Sequence, residues 1–131
     1  GMLTKLKRLD LQVNQISGTI PTELGDLKSI KRLSLYKNQI GGMIPTELGA
    51  MRNISALLLG NNQVEGTIPT ELGYLNLMKT LSLYNNEKGQ IGGTIPTELG
   101  DMKSIETLSL RNNQIGNTIP SELGKLKRLK R

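Results

Sequence analysis

Five glutamates, Glu23, Glu47, Glu71, Glu98 and Glu122, are the residues best suited to chemistry in this chain of 131 residues, which contains no histidine and no cysteine. Two carboxylates can divide general acid and base work between them, but only where one local environment pushes their pKa values apart. These five instead recur at steps of 24, 24, 27 and 24 residues, each within the string Glu-Leu-Gly. Without imidazole or thiol, the usual general base, sulfur nucleophile and soft metal ligands are missing. Lys125 follows Gly124, yet no glycine-rich run ending in Lys-Ser or Lys-Thr surrounds them, so there is no phosphate-binding loop. The residue types therefore predict no enzyme, no catalytic residue, no metal site and no cofactor.

What the glutamates do reveal is a period. The segment from Leu27 to Ala50, LKSIKRLSLYKNQIGGMIPTELGA, returns from Met51, Leu75 and Met102; an earlier copy begins at Leu3 and another starts at Leu126. A fixed step in this range marks a solenoid, in which each coil buries its apolar face only against its neighbours. The expected organisation is a single domain over residues 3–131, with repeats 3–26, 27–50, 51–74, 75–101 and 102–125 and a partial copy at 126–131. Gly1-Met2 reads as the scar of a cleaved tag.

Within one copy the apolar spacing sets the local structure. Leu9 and Leu11 are two apart, so Lys7–Gln12 reads as a short strand with both leucines turned inward. An asparagine then leaves the strand in every copy: Asn14, Asn38, Asn62, Asn86 and Asn113. Buried polar groups must be paired. A ladder of these amides, tying the turn and bonding to the asparagine of the next coil, meets that need. Gly18, Gly42, Gly66 and Gly93, with Asn117 in the last copy, occupy a position predicted to need a left-handed backbone. Thr19-Ile20-Pro21 reads as a second strand, kept short by a proline that cannot donate to a ladder. Pro21 to Gly25 reads as a compact helical turn, with Pro at its start, Glu at its positive end and Gly closing it.

The pattern LxxLxxLxLxxNxIxGxIPxELGxL, which runs from residue 3 to residue 129, resembles the plant-type leucine-rich repeat. Receptor-kinase ectodomains and polygalacturonase-inhibiting proteins carry such repeats. The resemblance implies an α/β fold: a right-handed, curved leucine-rich-repeat solenoid. A parallel β-sheet would line its concave side, with short flanking strands and 3-10 turns toward the convex side. It also implies recognition of a protein or peptide by the concave sheet, and an extracellular setting. The family's cysteine-containing end caps are absent, and both ends stop within a repeat. No basic segment followed by an apolar stretch opens the chain, and no run approaches the ~20 apolar residues of a membrane span. Asn53-Ile54-Ser55 matches the N-glycosylation sequon, a tripeptide common by chance.

Net charge is +6, but five of the seventeen basic residues, Lys125, Lys127, Arg128, Lys130 and Arg131, lie in the last seven positions. The rest is nearly neutral, which excludes a uniformly basic nucleic-acid-binding body. The basic end reads as a device that keeps a terminal repeat wetted.

Recognition must use the positions the repeat leaves variable. Along the outward strand face these include Tyr36, Leu58, Gly60, Tyr84 and Arg111. Adjacent parallel strands lie ~4.8 Å apart, so Tyr36 and Tyr84, two coils apart, are expected on the order of 10 Å from each other. Two aromatics flanking a gap with an apolar floor make a docking notch for a protein or peptide, with Lys31, Arg32 and Arg111 around it. Lys7, Arg8, Lys31 and Arg32, with Lys79 further along, form a basic strip suited to an acidic protein or, as the resemblance to the inhibitor family implies, to an anionic polysaccharide. A scaffold role is the alternative, with Leu3, Leu6, Leu126 and Leu129 in incomplete coils driving end-to-end self-association. Rows of threonine resemble the surfaces of some ice-binding proteins: Thr19, Thr67, Thr94 and Thr118, broken by Met43, and Thr22, Thr46, Thr70, Thr97 and Ser121. Threonine also simply suits a half-buried strand. Glu87-Lys88-Gly89 is the one length change, a predicted bulged loop that is either drift or a functional protrusion.

Overall fold

The structure, a computed structural model, describes residues 5–86 and 88–130. Expectations placed on Gly1, Met2, Leu3, Glu87 and Arg131 fall outside the described residues. Among the described residues, nine strands alternate between two parallel sheets. The first comprises β1 (Arg8–Asp10), β3 (Arg32–Ser34), β5 (Ala56–Leu58), β7 (Thr80–Ser82) and β9 (Thr107–Ser109), paired in that order. The second comprises β2 (Ser17–Thr19), β4 (Gln39–Met43), β6 (Gln63–Thr67) and β8 (Ile91–Gly92), also in order. Each coil closes through a 3-10 turn, at Thr22–Asp26, Thr46–Ala50, Thr70–Tyr74, Thr97–Asp101 and Ser121–Lys125. The chain is a stack of similar coils.

The core is a set of columns running through the stack. Leu33, Leu57 and Leu81 are in register on consecutive strands and fully buried, as are Ile30, Ile54 and Ile105 at the entry to their strands. Met51, Met78 and Met102 fill framework positions inside the same core, as unbranched side chains that adapt to the gap.

The second strands sit earlier than Thr-Ile-Pro. They are centred near the glycine column and end before the proline, which stands as the extended cap of the 3-10 turn (Pro45 at φ −64°, ψ 136°) rather than inside it. A residue without an N–H is thereby kept out of both the ladder and the turn. The glycine column itself is left-handed: Gly18, Gly42, Gly66, Gly93 and Asn117 have φ between 64° and 87°.

The asparagine column carries a more specific job than a side-chain ladder. Asn62 is buried; its Nδ2 donates to Leu59 O of its own coil and Leu35 O of the preceding one, while its Oδ1 accepts from Ile40 N. Asn38 and Asn86 repeat this wiring. The amide bonds backbone across coils, not the next asparagine. Side-chain pairing between asparagines occurs one residue earlier, where Asn85 donates to Asn61 and Asn112 to Asn85, each at 2.6 Å. That row is also left-handed: Val13, Lys37, Asn61, Asn85 and Asn112 lie at φ 53–59°.

The three-residue insertion changes one link of this wiring. Asn113 Oδ1 accepts from Asn86 N, because the residue two beyond Asn86 now belongs to the insertion. Gly89 is pressed against the carbonyl of Gln63, where a Cβ would collide with backbone.

Two outcomes follow for stability. Val13 is a β-branched residue in the left-handed region, a conformation that costs an L-residue ~1–2 kcal/mol. Val13→Asn should raise the unfolding free energy by about 1 kcal/mol, seen as a higher urea midpoint at unchanged slope. The glycines of the 3-10 turns are needed for close approach between coils: a Cβ on Gly49 would lie 2.6 Å from Glu71 Cβ and 2.8 Å from its carbonyl oxygen. Gly49→Ala should cost about 1–3 kcal/mol, whereas Gly124→Ala, with nothing within 4 Å, should leave the midpoint unmoved.

Candidate functional site

Strand register sorts the concave face into columns. One runs Asp10, Ser34, Leu58, Ser82, Ser109, another Arg8, Arg32, Ala56, Thr80, Thr107. Two residues beyond the first come Gln12, Tyr36, Gly60, Tyr84 and Arg111. Over coils two to five these columns line an open cavity of about 670 Å³. Tyr36, Leu58, Tyr84 and Arg111 line it, on a floor of hydroxyls from Thr80, Ser82, Thr107 and Ser109. Leu108 also borders it, since it is only partly buried on the last strand of the sheet.

The two tyrosines are not separate posts. Their ring centroids are 6.1 Å apart with planes tilted by 47°, well inside the spacing their strands alone would set. The reason is Gly60. A Cβ there would lie 2.9 Å from Tyr84 Cε1, so the bare backbone is what lets the ring fold over toward Tyr36. Instead of a gap between aromatics, the column presents a continuous aromatic ridge beside the cavity. Arg111 extends it, its guanidinium carbon 4.5 Å from the Tyr84 centroid, a cation–π contact. Loss of solvent around Tyr84, with the Tyr36 hydroxyl beside it, pushes its phenol above the ordinary range, against the opposing pull of Arg111.

The remaining basic residues are arranged differently. Arg32 Nε lies 3.0 Å from Asp10 Oδ1, and Arg8 also reaches that carboxylate, so the strip is partly neutralised at its centre. Lys31 is exposed in the neighbouring column and does not line the cavity; nor does Arg32. Arg8 and Arg32 hold the Asp10 carboxyl below the usual carboxylate range, and Lys130, 2.9 Å away, does the same for Glu106. Sequence reasoning thus brought out four of the lining residues and missed the hydroxyl floor. The signal was present in the columns, where Ser82 and Ser109 follow Leu58 and Thr107 follows Thr80.

Elsewhere, Thr22, Thr46, Thr70 and Thr97 each donate to the adjacent glutamate at 3.2–3.3 Å, so that row's hydroxyls are engaged. Leu6 is half-buried and Leu126 buried, while Leu129 is 38% exposed. Among the described residues no cluster of acidic residues gathers that could hold a metal ion, and no helix is long and apolar enough to cross a membrane.

Comparison with known proteins agrees with this geometry. The family model described as Leucine rich repeat matches residues 4–64, and a second, Leucine Rich Repeat, matches residues 104–126. The chain superposes on the structure of the PEPR1–AtPEP1 complex with a TM-score of 0.92 at 35% identity, over 96% of this chain and 17% of that one. The chain is a plant-type leucine-rich-repeat protein. Its repeats also match those of the plant peptide hormone receptor RGFR1, solved in complex with RGF2 (TM-score 0.91, 31% identity, 98% of this chain, 20% of that one). A plant ice-binding protein matches with a TM-score of 0.81 at 25% identity, over 90% of this chain and 38% of that one. This leucine-rich-repeat chain therefore spans about a fifth of the length of the two receptor structures. Among curated proteins nothing matches the sequence.

Both Asp10 and Glu106 have lowered pKa values in the folded chain. The stability they confer is present above their ordinary pKa of about 4 and is lost as pH falls through the lowered values. The urea midpoint should therefore drop below about pH 4, and Asp10→Asn combined with Glu106→Gln should flatten that drop. Equal pH slopes in parent and variant would contradict the ion-pair assignment.

Proposed function

We propose that this chain is a non-enzymatic binding module that seats an extended protein or peptide segment on its concave sheet. Tyr36, Leu58, Tyr84 and Arg111 are its anchor residues. The observation that carries this reading is the cavity beside the Tyr36–Tyr84–Arg111 ridge, with its partly apolar wall and its floor of hydroxyls. A rigid aromatic ridge offers large contact area at little cost in side-chain entropy, which is why Tyr and Arg are enriched among binding hot spots. The hydroxyls of Thr80, Ser82, Thr107 and Ser109 can both donate and accept, as an extended backbone requires. Lys31 and Arg32 belong to the margin. Lys31 contributes long-range attraction for an acidic partner, and Arg32 holds Asp10 in place. The structural neighbours support the class of partner, since one is a plant peptide hormone receptor in complex with RGF2.

Ice binding is a second reading, favoured by the threonine rows and by the plant ice-binding neighbour. The engaged hydroxyls of Thr22, Thr46, Thr70 and Thr97 and the break at Met43 weigh against it, and a thermal-hysteresis assay on the purified chain should show no activity.

Peptides selected from a random display library against the chain test the main reading. Tyr36→Ala with Tyr84→Ala should weaken the selected peptides at least tenfold, about 1.4 kcal/mol, while Tyr74→Ala, on a different surface, should leave them unchanged. Equal affinity for the double variant and the parent removes the concave ridge from the interface.

A further inference from the structure

Tyrosine is the side chain through which this chain meets a one-electron oxidant. The sequence holds no tryptophan, cysteine or histidine and three tyrosines, Tyr36, Tyr74 and Tyr84. Met51, Met78 and Met102 are buried, and an exposed thioether such as that of Met43 ends as a sulfoxide rather than as a cross-link. A radical formed on the folded chain therefore settles on a phenol.

The three phenols are placed differently. Tyr74 is 49% exposed, its ring centroid 5.7 Å from the Arg52 guanidinium carbon, and among the described residues no second phenol touches it. Tyr36 and Tyr84 are partly exposed, so a small oxidant reaches them, and their ring centroids are 6.1 Å apart, inside the ~4.5–7 Å of packed aromatic pairs. The contact also brings the reactive carbons together. A phenoxyl radical carries its unpaired electron on oxygen and on the ortho carbons, which are the Cε atoms. Tyr84 Cε1 stands over Gly60, 2.9 Å from where a Cβ would sit, and Gly60 is the position between the two tyrosines in their column. One ortho carbon of Tyr84 is thus turned into the space that separates it from Tyr36. Rings held this way couple in an effectively unimolecular step, which outruns encounters between molecules. Chain order favours a different pair, since Tyr74 is closer to Tyr84 in sequence than Tyr36 is.

We propose that Tyr36 and Tyr84 form an oxidative cross-linking site, joined carbon to carbon as a dityrosine that staples coil two to coil four. The oxidant is of the peroxidase class, working with hydrogen peroxide. Each phenol gives up one electron and one proton; the two radicals join through Cε atoms, and each Cε hydrogen moves to its own ring oxygen. The two electrons and two protons reduce one peroxide to two waters. This chemistry does not rest on the peptide-binding reading. The unmodified chain, kept dilute, is treated with a haem peroxidase and hydrogen peroxide, or with photo-excited ruthenium tris(bipyridine) and persulfate as a smaller one-electron oxidant. Digestion and mass spectrometry should find a monomer lighter by two hydrogens, with the Tyr36 and Tyr84 peptides linked. The staple closes a loop in the unfolded chain, so the urea midpoint should rise. Tyr36→Phe and Tyr84→Phe should each lower the yield of linked monomer at least about tenfold, whereas Tyr74→Phe should leave it unchanged. In denaturing urea the preference should pass to the pair nearest in sequence, Tyr74 with Tyr84. No link under either oxidant, dimers joined through Tyr74 as the main product, or an undiminished yield in the Tyr36 or Tyr84 variant would each overturn the proposal.

Discussion

The rest of this structure depends on one recurring carboxamide, buried at Asn62 and Asn86 and half-buried at Asn38. In a stack whose core is shared only between neighbouring coils, each coil must be joined to the last through groups that also hold its own turn. Asn38, Asn62 and Asn86 do both: each amide nitrogen donates to a carbonyl of its own coil and one of the coil before, and each oxygen takes an N–H from the coil before. A buried amide left unpaired would cost about 1–3 kcal/mol per group, and an apolar replacement of Asn62 would orphan the N–H of Ile40 and strip one of two donors from each of the carbonyls of Leu35 and Leu59. Stacking is therefore a condition for tolerating the residue, and the residue enforces the stacking.

From that constraint the columns follow. Once coils lie in fixed register, every position becomes a row along the solenoid, and each row has one physical task. Leucine and isoleucine rows fill the interior. One glycine row turns the backbone left-handed, and another lets 3-10 turns approach to contact across coils. The outward rows of the first sheet are left without a structural task, and there residue types vary from coil to coil. Tyr36, Gly60, Tyr84 and Arg111 share such a row. Their arrangement shows that a missing side chain can shape a surface as strongly as a present one, since bare backbone at Gly60 brings two tyrosines from different coils into contact.

The same logic explains why the insertion matters. A solenoid of identical coils has a uniform flank, and three extra residues break that uniformity at one place. They redirect one inter-coil bond from the usual N–H to that of Asn86. Lys88 of the insertion also borders the amide rows of neighbouring coils. Variation inside the repeat and departure from its length thus mark the solenoid at different places, the first on the concave sheet and the second where the insertion meets the flank.

The sequence by itself determined the period, the coil anatomy, the inward leucines and the left-handed glycine column, because these are local or strictly periodic. It also singled out Tyr36, Leu58, Tyr84 and Arg111, since alignment of the repeats is already a map of the outward face. Tertiary structure alone decided what each polar row bonds to. The asparagines reach backbone of the preceding coil and the row before them pairs with itself, a choice set by distances across coils that spacing along the chain does not encode. It likewise decided that the proline caps the turn outside the second strand, that Arg32 is occupied by Asp10, and that the tyrosines meet. Each of these depends on which atoms occupy the space between coils, and a repeat alignment carries order along the chain but no volume.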